Sequence, residues 1–164
     1  MISKKMESAL NAQINKELYS AYLYLAMSAD SADKGFPGMS HWFKKQYHEE
    51  LEHAEKIFDY LIQQNARASL EAIEKPTASF NGPLDSFENA LKHEKLVTAS
   101  IYALVDLAQA EKDHASHSFL QWFVDEQVEE EANALDVVTK LKMIGDGNSG
   151  VVYLDGKLGK RGDD

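Results

Sequence analysis

Glycine and proline are distributed so unevenly along the 164 residues that they nearly divide the chain into helices. Up to residue 144 the chain contains only Gly35, Gly38, Gly82, Pro37, Pro76 and Pro83. Both residue types are disfavoured inside helices, so they mark two breaks, at residues 35–38 and 65–83. The intervening stretches are rich in Ala, Leu, Glu, Lys and Gln, which favour helix. The chain is therefore predicted to be all-α.

The run from Leu84 to Ile144 contains no glycine or proline, and as one helix it would be about 90 Å long. A single domain of this size cannot hold such a helix, so we expect a turn at residues 111–114, where Asp113 can cap a new helix. Four helices are predicted: Ser3–Asp33, Pro37–Gln64, Leu84–Ala110 and Asp113–Ile144. The two tight turns pair them into two antiparallel hairpins.

The connection between the second and third helices is about 18 residues long, whereas bundle helices are usually joined by about 2 to 8. A link of that length can cross the whole bundle, which predicts one long crossover in place of a simple up-down-up-down order. From Gly145 onward the chain holds six of its nine glycines and one apolar segment. We expect a short fifth helix at residues 151–158 and a frayed tail. The bundle is assigned to residues 1–145, and the fifth helix and tail to residues 146–164.

The charge balance and the absence of cysteine exclude several classes of function. The 27 acidic and 17 basic side chains leave a formal net charge of −10, which attracts cations and repels nucleic-acid phosphates. Without cysteine there is no disulfide, thiolate zinc site, cysteine-bound iron–sulfur cluster or thiol nucleophile. No apolar run approaches the roughly 18 residues of a membrane span, and no apolar stretch follows Met6 as in a signal peptide. We therefore expect a cytoplasmic protein that binds neither nucleic acid nor membranes.

Each predicted helix has an apolar stripe with steps of three and four residues, and polar residues interrupt each stripe. The stripes are Leu10, Ile14, Ala21, Leu25 and Ser28; Phe43, Tyr47, Ala54, Ile57, Phe58 and Leu61; Phe87, Leu91, Thr98, Ile101 and Val105; and Leu120, Phe123, Ala134, Val137, Val138 and Leu141. The interruptions are Glu17 in the first helix, Glu50 and His53 in the second, Glu94 in the third, and Gln127 and Glu130 in the fourth. Each falls near the middle of its helix, so an aligned bundle would gather them at one level.

A buried carboxylate without a partner is too costly for a domain to tolerate, so it must be paired, bound to a metal or protonated. No Lys or Arg lies in the stripes at this level, and two divalent cations would neutralise four glutamates. An oxygen-rich set with one imidazole suits iron or manganese better than calcium or a thiolate-preferring metal. One such glutamate alone is more often solvated, but coincidence in four helices favours a metal site. The remaining histidines, predicted at the surface or in turns, are His41, His48, His93, His114 and His117.

Two short motifs resemble those of the bacterial non-haem ferritins. Glu50-Leu51-Glu52-His53 is similar to the Glu-x-x-His of di-iron bundles, in which single glutamates from two other helices, here Glu17 and Glu94, complete the site. Gln127-Val128-Glu129-Glu130 begins with Gln and ends with Glu, and the segment from Phe119 to Glu131 resembles the bacterial branch closely. Leu51 stands where haem-binding bacterioferritins have methionine, so no haem is expected.

The resemblance implies a ferritin-like bundle whose ferroxidase centre oxidises two Fe(II) ions with O2 or H2O2 and passes Fe(III) to a mineral inside a shell of 24 identical subunits. It assigns the first iron to Glu17, Glu50 and His53. It assigns the second iron to the bridging Glu50, Glu94 and Glu130, with Gln127 as a weak ligand or hydrogen-bond donor. A third iron site would use Glu49, Glu126, Glu129 and Glu130. Tyr24 matches the family's tyrosine beside the centre, a candidate electron donor.

Two other functions remain open from the residues. A di-iron or di-manganese oxidase or peroxidase would keep the metal pair and store nothing. A purely structural four-helix protein would carry these glutamates protonated or exposed. A twelve-subunit relative is disfavoured, because such proteins hold their irons between subunits and lack this internal set.

Overall fold

The computed structural model describes residues 1–145 and 147–162; Asp146, Asp163 and Asp164, which fall in the predicted fifth-helix and tail segment, lie outside this range. The described helices are α1 (Lys4–Asp33), α2 (Pro37–Gln63), α3 (Pro83–Ala110), α4 (His114–Ile144) and α5 (Asn148–Leu158). The four long helices confirm the predicted bundle to within one residue at each boundary. The fifth helix is also present, and it begins earlier than predicted, at Asn148.

Local side chains set where the long helices begin and end. The Ser3 hydroxyl accepts a hydrogen bond from the Met6 backbone N–H at 3.0 Å, and the Asp113 carboxylate accepts one from the Ser116 N–H at 3.0 Å. Both are N-caps that satisfy otherwise unpaired helical donors. After α1, Gly35 has φ 83°, a left-handed conformation that glycine adopts without steric cost. Gly35 and the Asp113 cap lie in the two short turns that make α1–α2 and α3–α4 hairpins.

The link at residues 64–82 follows α1 along its length. Near the start of α1, the Asn11 side-chain amide donates to the backbone carbonyl of Arg67 at 2.9 Å. At the end of α1, the Lys34 ammonium donates to the carbonyl of Phe80. Because the contacts advance along α1 as the link advances along the chain, the link crosses the bundle from end to end. The predicted long crossover is therefore confirmed.

The bundle interior consists of two apolar clusters with a polar layer between them. The first cluster contains Leu10, Ile57, Leu61, Ile101 and Leu120, among others. The second contains Met27, Phe43, Phe87 and Val138, among others. The polar residues that interrupt the predicted stripes lie at the level between these clusters. None of the described helices is both long enough and apolar enough to span a membrane.

The predicted stripes are wrong at two positions. Leu25 and Phe58 are 37% and 40% exposed, although their spacing assigned them to the inner face. At about 100° per residue, each of these side chains lies roughly 100° around its helix from the centre of the buried face. Steps of three and four residues tolerate that drift, so the pattern alone does not find the edge of the stripe.

Candidate metal centre

Each of the four long helices contributes one buried glutamate to the middle of the bundle. Glu17, Glu50, Glu94 and Glu130 are 0%, 1%, 0% and 4% exposed. Ionisable side chains are almost never buried to this extent unless they are paired. The structure thus brings together the four glutamates that interrupt the predicted apolar stripes.

Glu17, Glu50 and His53 form the tightest cluster at this level. One oxygen or nitrogen atom from each lies within 4.8 Å of the others. Oε1 of Glu17 accepts a hydrogen bond from Nε2 of Gln13 at 2.8 Å. The remaining oxygen of Glu17 and Oε2 of Glu50 are buried and have no hydrogen-bond partner within residues 1–145 and 147–162. Such oxygens call for a cation or a proton, and with His53 beside them they form a chelating set.

Glu94 is held from two sides. The Tyr24 hydroxyl donates a hydrogen bond to Oε1, and the Gln127 side-chain amide donates to Oε2 at 3.2 Å. The same amide nitrogen is also 3.2 Å from the hydroxyl of Thr98. Tyr24 and Gln127, 1% and 2% exposed, are therefore donors that orient Glu94 within the buried layer.

Glu130 is held by Gln46, whose Nε2 donates to Oε2 of Glu130 at 2.7 Å. Glu130 also belongs to a second cluster with His53 and Glu126, in which one ligand atom from each lies within 4.8 Å of the others. His53 thus belongs to both clusters. It lies near both the inner carboxylates, Glu17 and Glu50, and the outer carboxylates, Glu126 and Glu130.

Burial raises the pKa of every glutamate in the layer. The pKa of Glu94 rises to about 7 and that of Glu130 to about 8, chiefly through desolvation. The pKa of Glu50 lies well above its ordinary range, chiefly because the carboxyl is buried and also because Glu94 and Glu17 repel its charge. The pKa of Glu17 is raised by burial and partly lowered by the hydrogen bond from Gln13. Without a cation these carboxyl groups therefore keep their protons to higher pH than ordinary glutamates do, and a divalent cation would displace those protons.

The four residues expected at a third iron site are not all gathered into one cluster. Glu126 and Glu130 lie together with His53. Glu129 is exposed and belongs to neither cluster. Glu49 is partly buried and forms an ion pair with Arg161, with Nη2 and Oε2 2.7 Å apart.

Two buried amides in the site were missed by the sequence reasoning. Gln13 and Gln46 are 1% and 0% exposed, and each donates to a glutamate of the layer. A signal was present in the spacing, because Gln13 precedes Glu17 by one helical turn and Gln46 likewise precedes Glu50. That spacing alone does not identify a buried amide, since glutamine is common on exposed helix faces.

The prediction that His93 lies at the surface is wrong. Its side chain is partly buried, and its Nε2 lies 2.7 Å from the hydroxyl of Ser20. Burial lowers the pKa of His93 to about 4, so the ring is neutral near neutral pH. His93 therefore joins α3 to α1 through an uncharged hydrogen bond directly beside Glu94.

Known proteins resemble this chain in both sequence and fold. The Ferritin-like domain family matches residues 7–144. Bacterial non-heme ferritins of Bacteroides fragilis and Staphylococcus saprophyticus are 44% and 42% identical, covering 98% and 94% of this chain and 100% and 92% of theirs. An open pore ferritin from Archaeoglobus fulgidus is 48% identical, with a TM-score of 0.97 over 98% of this chain and 99% of that one. This chain belongs to the ferritin-like family.

Proposed function

We propose that this chain is the subunit of an iron-storage shell and that its mid-bundle centre is a ferroxidase. The observation that carries the proposal is that one buried oxygen on Glu17 and one on Glu50 accept no hydrogen bond from the described residues and lie beside the His53 imidazole. Carboxylate oxygen with a single imidazole suits iron, and membership of the ferritin-like family supports the same reading. Iron is the substrate and cargo here, and no resident haem is involved.

Glu17, Glu50 and His53 hold the first Fe(II), and Glu50 bridges to the second. The bridging role is supported by electrostatics, since Glu94, Glu17 and Glu130 all raise the pKa of Glu50. Glu94 and Glu130, together with Glu50, then hold the second Fe(II). Two divalent cations neutralise the four carboxylates, so filling the centre relieves the mutual repulsion of the buried layer.

Gln127 and Tyr24 act around the second iron through Glu94. The Gln127 amide donates to Glu94 and leaves coordination room that a charged ligand would fill. The Tyr24 hydroxyl donates a hydrogen bond to the other Glu94 oxygen. Because this bond connects the Tyr24 ring to an iron ligand, Tyr24 is suited to act as an electron donor. Burial and the nearby carboxylates raise the pKa of Tyr24 well above 10, so its hydroxyl keeps its proton.

The redox balance requires a pair of irons. Two Fe(II) ions supply two electrons, which reduce O2 and two protons to H2O2, or H2O2 and two protons to two water molecules. The two Fe(III) ions then leave for the mineral and the centre binds Fe(II) again. A third iron is held at the outer edge by Glu126 and Glu130, to which Glu49 and Glu129 can be added.

Storage requires an assembly, because one bundle encloses no mineral cavity. We propose a cytoplasmic shell of 24 identical subunits. Exposed apolar side chains support subunit contacts: Leu25, Leu70 and Tyr102 are 37%, 67% and 46% exposed in the single chain. The net charge of −10 suits an inner wall and pores that concentrate Fe(II).

The decisive experiment counts iron per subunit after aerobic loading and measures particle size on the same sample by gel filtration. We expect a large particle whose iron content rises far beyond the two ions of the centre. A small oligomer that stops at about two irons per subunit would contradict storage and favour a non-storing oxidase or peroxidase. Unchanged Fe(II) oxidation in a Glu17→Ala, His53→Ala double variant would instead indicate a purely structural bundle.

A further inference from the structure

Arg161, in the segment that follows α5, lies against α2 beside the metal centre. Its Nη2 is 2.7 Å from Oε2 of Glu49. Its guanidinium carbon stands 4.5 Å from the centroid of the Trp42 ring, and Nη1 donates to the Trp42 carbonyl at 3.4 Å. The Arg161 carbonyl oxygen is 2.9 Å from Nε2 of His41. Both the backbone and the side chain of Arg161 are therefore fixed to the helix that carries Glu50.

The position of Arg161 follows from how α5 docks on α2. Asp155 of α5 accepts hydrogen bonds from the backbone N–H groups of Gly38 at 3.1 Å and Met39 at 2.7 Å. A Cβ added at Gly38 would lie 1.7 Å from the Asp155 carbonyl oxygen, so only glycine permits this approach. With α5 fixed at the start of α2, the chain that leaves it reaches the next turns of the same helix.

Glu49 is paired with Arg161 and also feels the charges of His53 and Glu126. Burial raises the pKa of Glu49; Arg161 and His53 oppose that rise, and Glu126 adds to it, so all three charges act on the same side chain. Arg161 also opposes, to a smaller extent, the rise that burial causes in the pKa of Glu130. A guanidinium is always charged and matches a carboxylate with fixed, planar donors. Arg161 is therefore a built-in cation at the edge of the cluster formed by His53, Glu126 and Glu130.

We propose that Arg161 competes with a third iron for Glu49, so that the outer site fills only when this ion pair opens. The inference rests on the proposed function, because it assumes that Fe(II) binds around His53. Oε2 of Glu49 faces the guanidinium in the ion pair, so it is not free for a metal ion near Glu126. Recruiting Oε2 of Glu49 to such an ion requires breaking its contact with Arg161, and the released guanidinium is then expected to move off the Trp42 ring.

The test measures anaerobic Fe(II) binding to the assembled protein by equilibrium dialysis, with the bound iron counted per subunit. The variants are Arg161→Gln and, as the matched control, Lys160→Gln, which removes the same charge from an exposed neighbour. We expect Arg161→Gln to bind the third ion at least about fivefold more tightly than the wild type, with the first two unchanged. Lys160→Gln should behave as the wild type does, and Arg161→Lys should retain part of the competition.

A double variant shows whether the gain passes through Glu49. Adding Glu49→Gln to Arg161→Gln should abolish the tighter third binding, because the released carboxylate is gone. A third-ion affinity equal in wild type and Arg161→Gln, or weaker in the variant, would overturn the inference. If the wild type fails to bind the first two ions, the proposed function itself is wrong, so the two failures are distinguishable.

Trp42 provides a readout that needs no oxidation chemistry. In a Trp122→Phe background Trp42 is the only tryptophan, and Zn(II) is a redox-inactive probe. The Trp42 emission should change at the third equivalent of Zn(II), when the guanidinium leaves the ring. No such step should occur once Arg161→Gln is added. A step of equal size in both proteins would contradict displacement of Arg161.

Discussion

Nδ1 of His53 lies 3.3 Å from Oε2 of Glu50, one helical turn away on α2, yet that oxygen accepts no hydrogen bond from the described residues. The two groups therefore face the same space as potential ligands and do not satisfy each other. A cation placed between them would bind both, and the Glu17 carboxylate lies within reach of the same position. This relationship makes α2 the centre of the candidate site.

Glu50→Gln should separate the effect of the Glu50 carboxylate on stability from its role in binding iron. Without metal, the neutral amide avoids the cost of burying or protonating a carboxylate beside Glu94 and Glu17, so we expect the free energy of unfolding to rise by about 1 kcal/mol or more. With Fe(II), the loss of a bridging carboxylate should slow oxidation at least about tenfold. Denaturant unfolding of chelator-treated protein and the initial rate of Fe(II) oxidation measure the two effects.

The matched control for that variant is Glu52→Gln, which makes the same change two residues away on an exposed position of α2. It should leave both the unfolding free energy and the oxidation rate close to those of the wild type. If Glu50→Gln and Glu52→Gln behave alike, Glu50 is not an iron ligand.

The stability of the metal-free protein should fall as pH rises. The pKa of Glu94 is about 7 and that of Glu130 about 8 in the folded chain, above the ordinary value of 4.5. The folded state then binds more protons than the unfolded state between about pH 4.5 and 8, so raising the pH through that range favours unfolding. Urea unfolding of chelator-treated protein at pH 5.5 and pH 8 measures this difference.

Saturating metal should reverse that slope. Binding displaces the protons of the carboxyl groups, so affinity and the stability it confers increase with pH over the same range. The wild type with Zn(II) should therefore be more stable at pH 8 than at pH 5.5. A metal-free protein that becomes more stable toward pH 8 would contradict the protonated layer.

Gln46→Leu should weaken iron binding without touching a ligand. The substitution removes the 2.7 Å hydrogen bond to Glu130, so that carboxylate loses its donor and its orientation. Loss of such a supporting contact typically costs about 10- to 100-fold in metal affinity. Anaerobic Fe(II) titration should show weaker binding of the second ion, and Gln121→Leu, at an exposed position of α4, serves as control.

The layer of glutamates could be predicted because a carboxylate in an apolar stripe breaks a helical period that one sequence displays by itself. The same reasoning missed Gln46, whose partner Glu130 lies on another helix and whose residue type is ordinary at a surface. Arg161 was beyond reach for a stronger reason. Its contact with Glu49 depends on where α5 docks, and that docking depends on a backbone approach at Gly38 that leaves no periodic signal.

The residue before α2, Phe36, provides no side-chain cap, and Asp155 supplies that cap from α5. Asp155→Ala should lower the free energy of unfolding by about 1 to 2 kcal/mol, in the range of a lost N-cap. It should also free α5, so hydrogen exchange should accelerate across residues 148–158.

Asp113→Ala tests whether that second effect is specific. It removes the N-cap of α4 and should cost a similar free energy, because its carboxylate accepts from the Ser116 N–H at 3.0 Å. Among the described residues, the Asp113 side chain bonds only to Ser116 and not to α5, so exchange at residues 148–158 should stay slow. If Asp155→Ala destabilises the chain while exchange in α5 is unchanged, the carboxylate caps α2 but does not hold α5 in place. Only a residue that holds α5 against α2 would expose the α5 amides to exchange when it is removed.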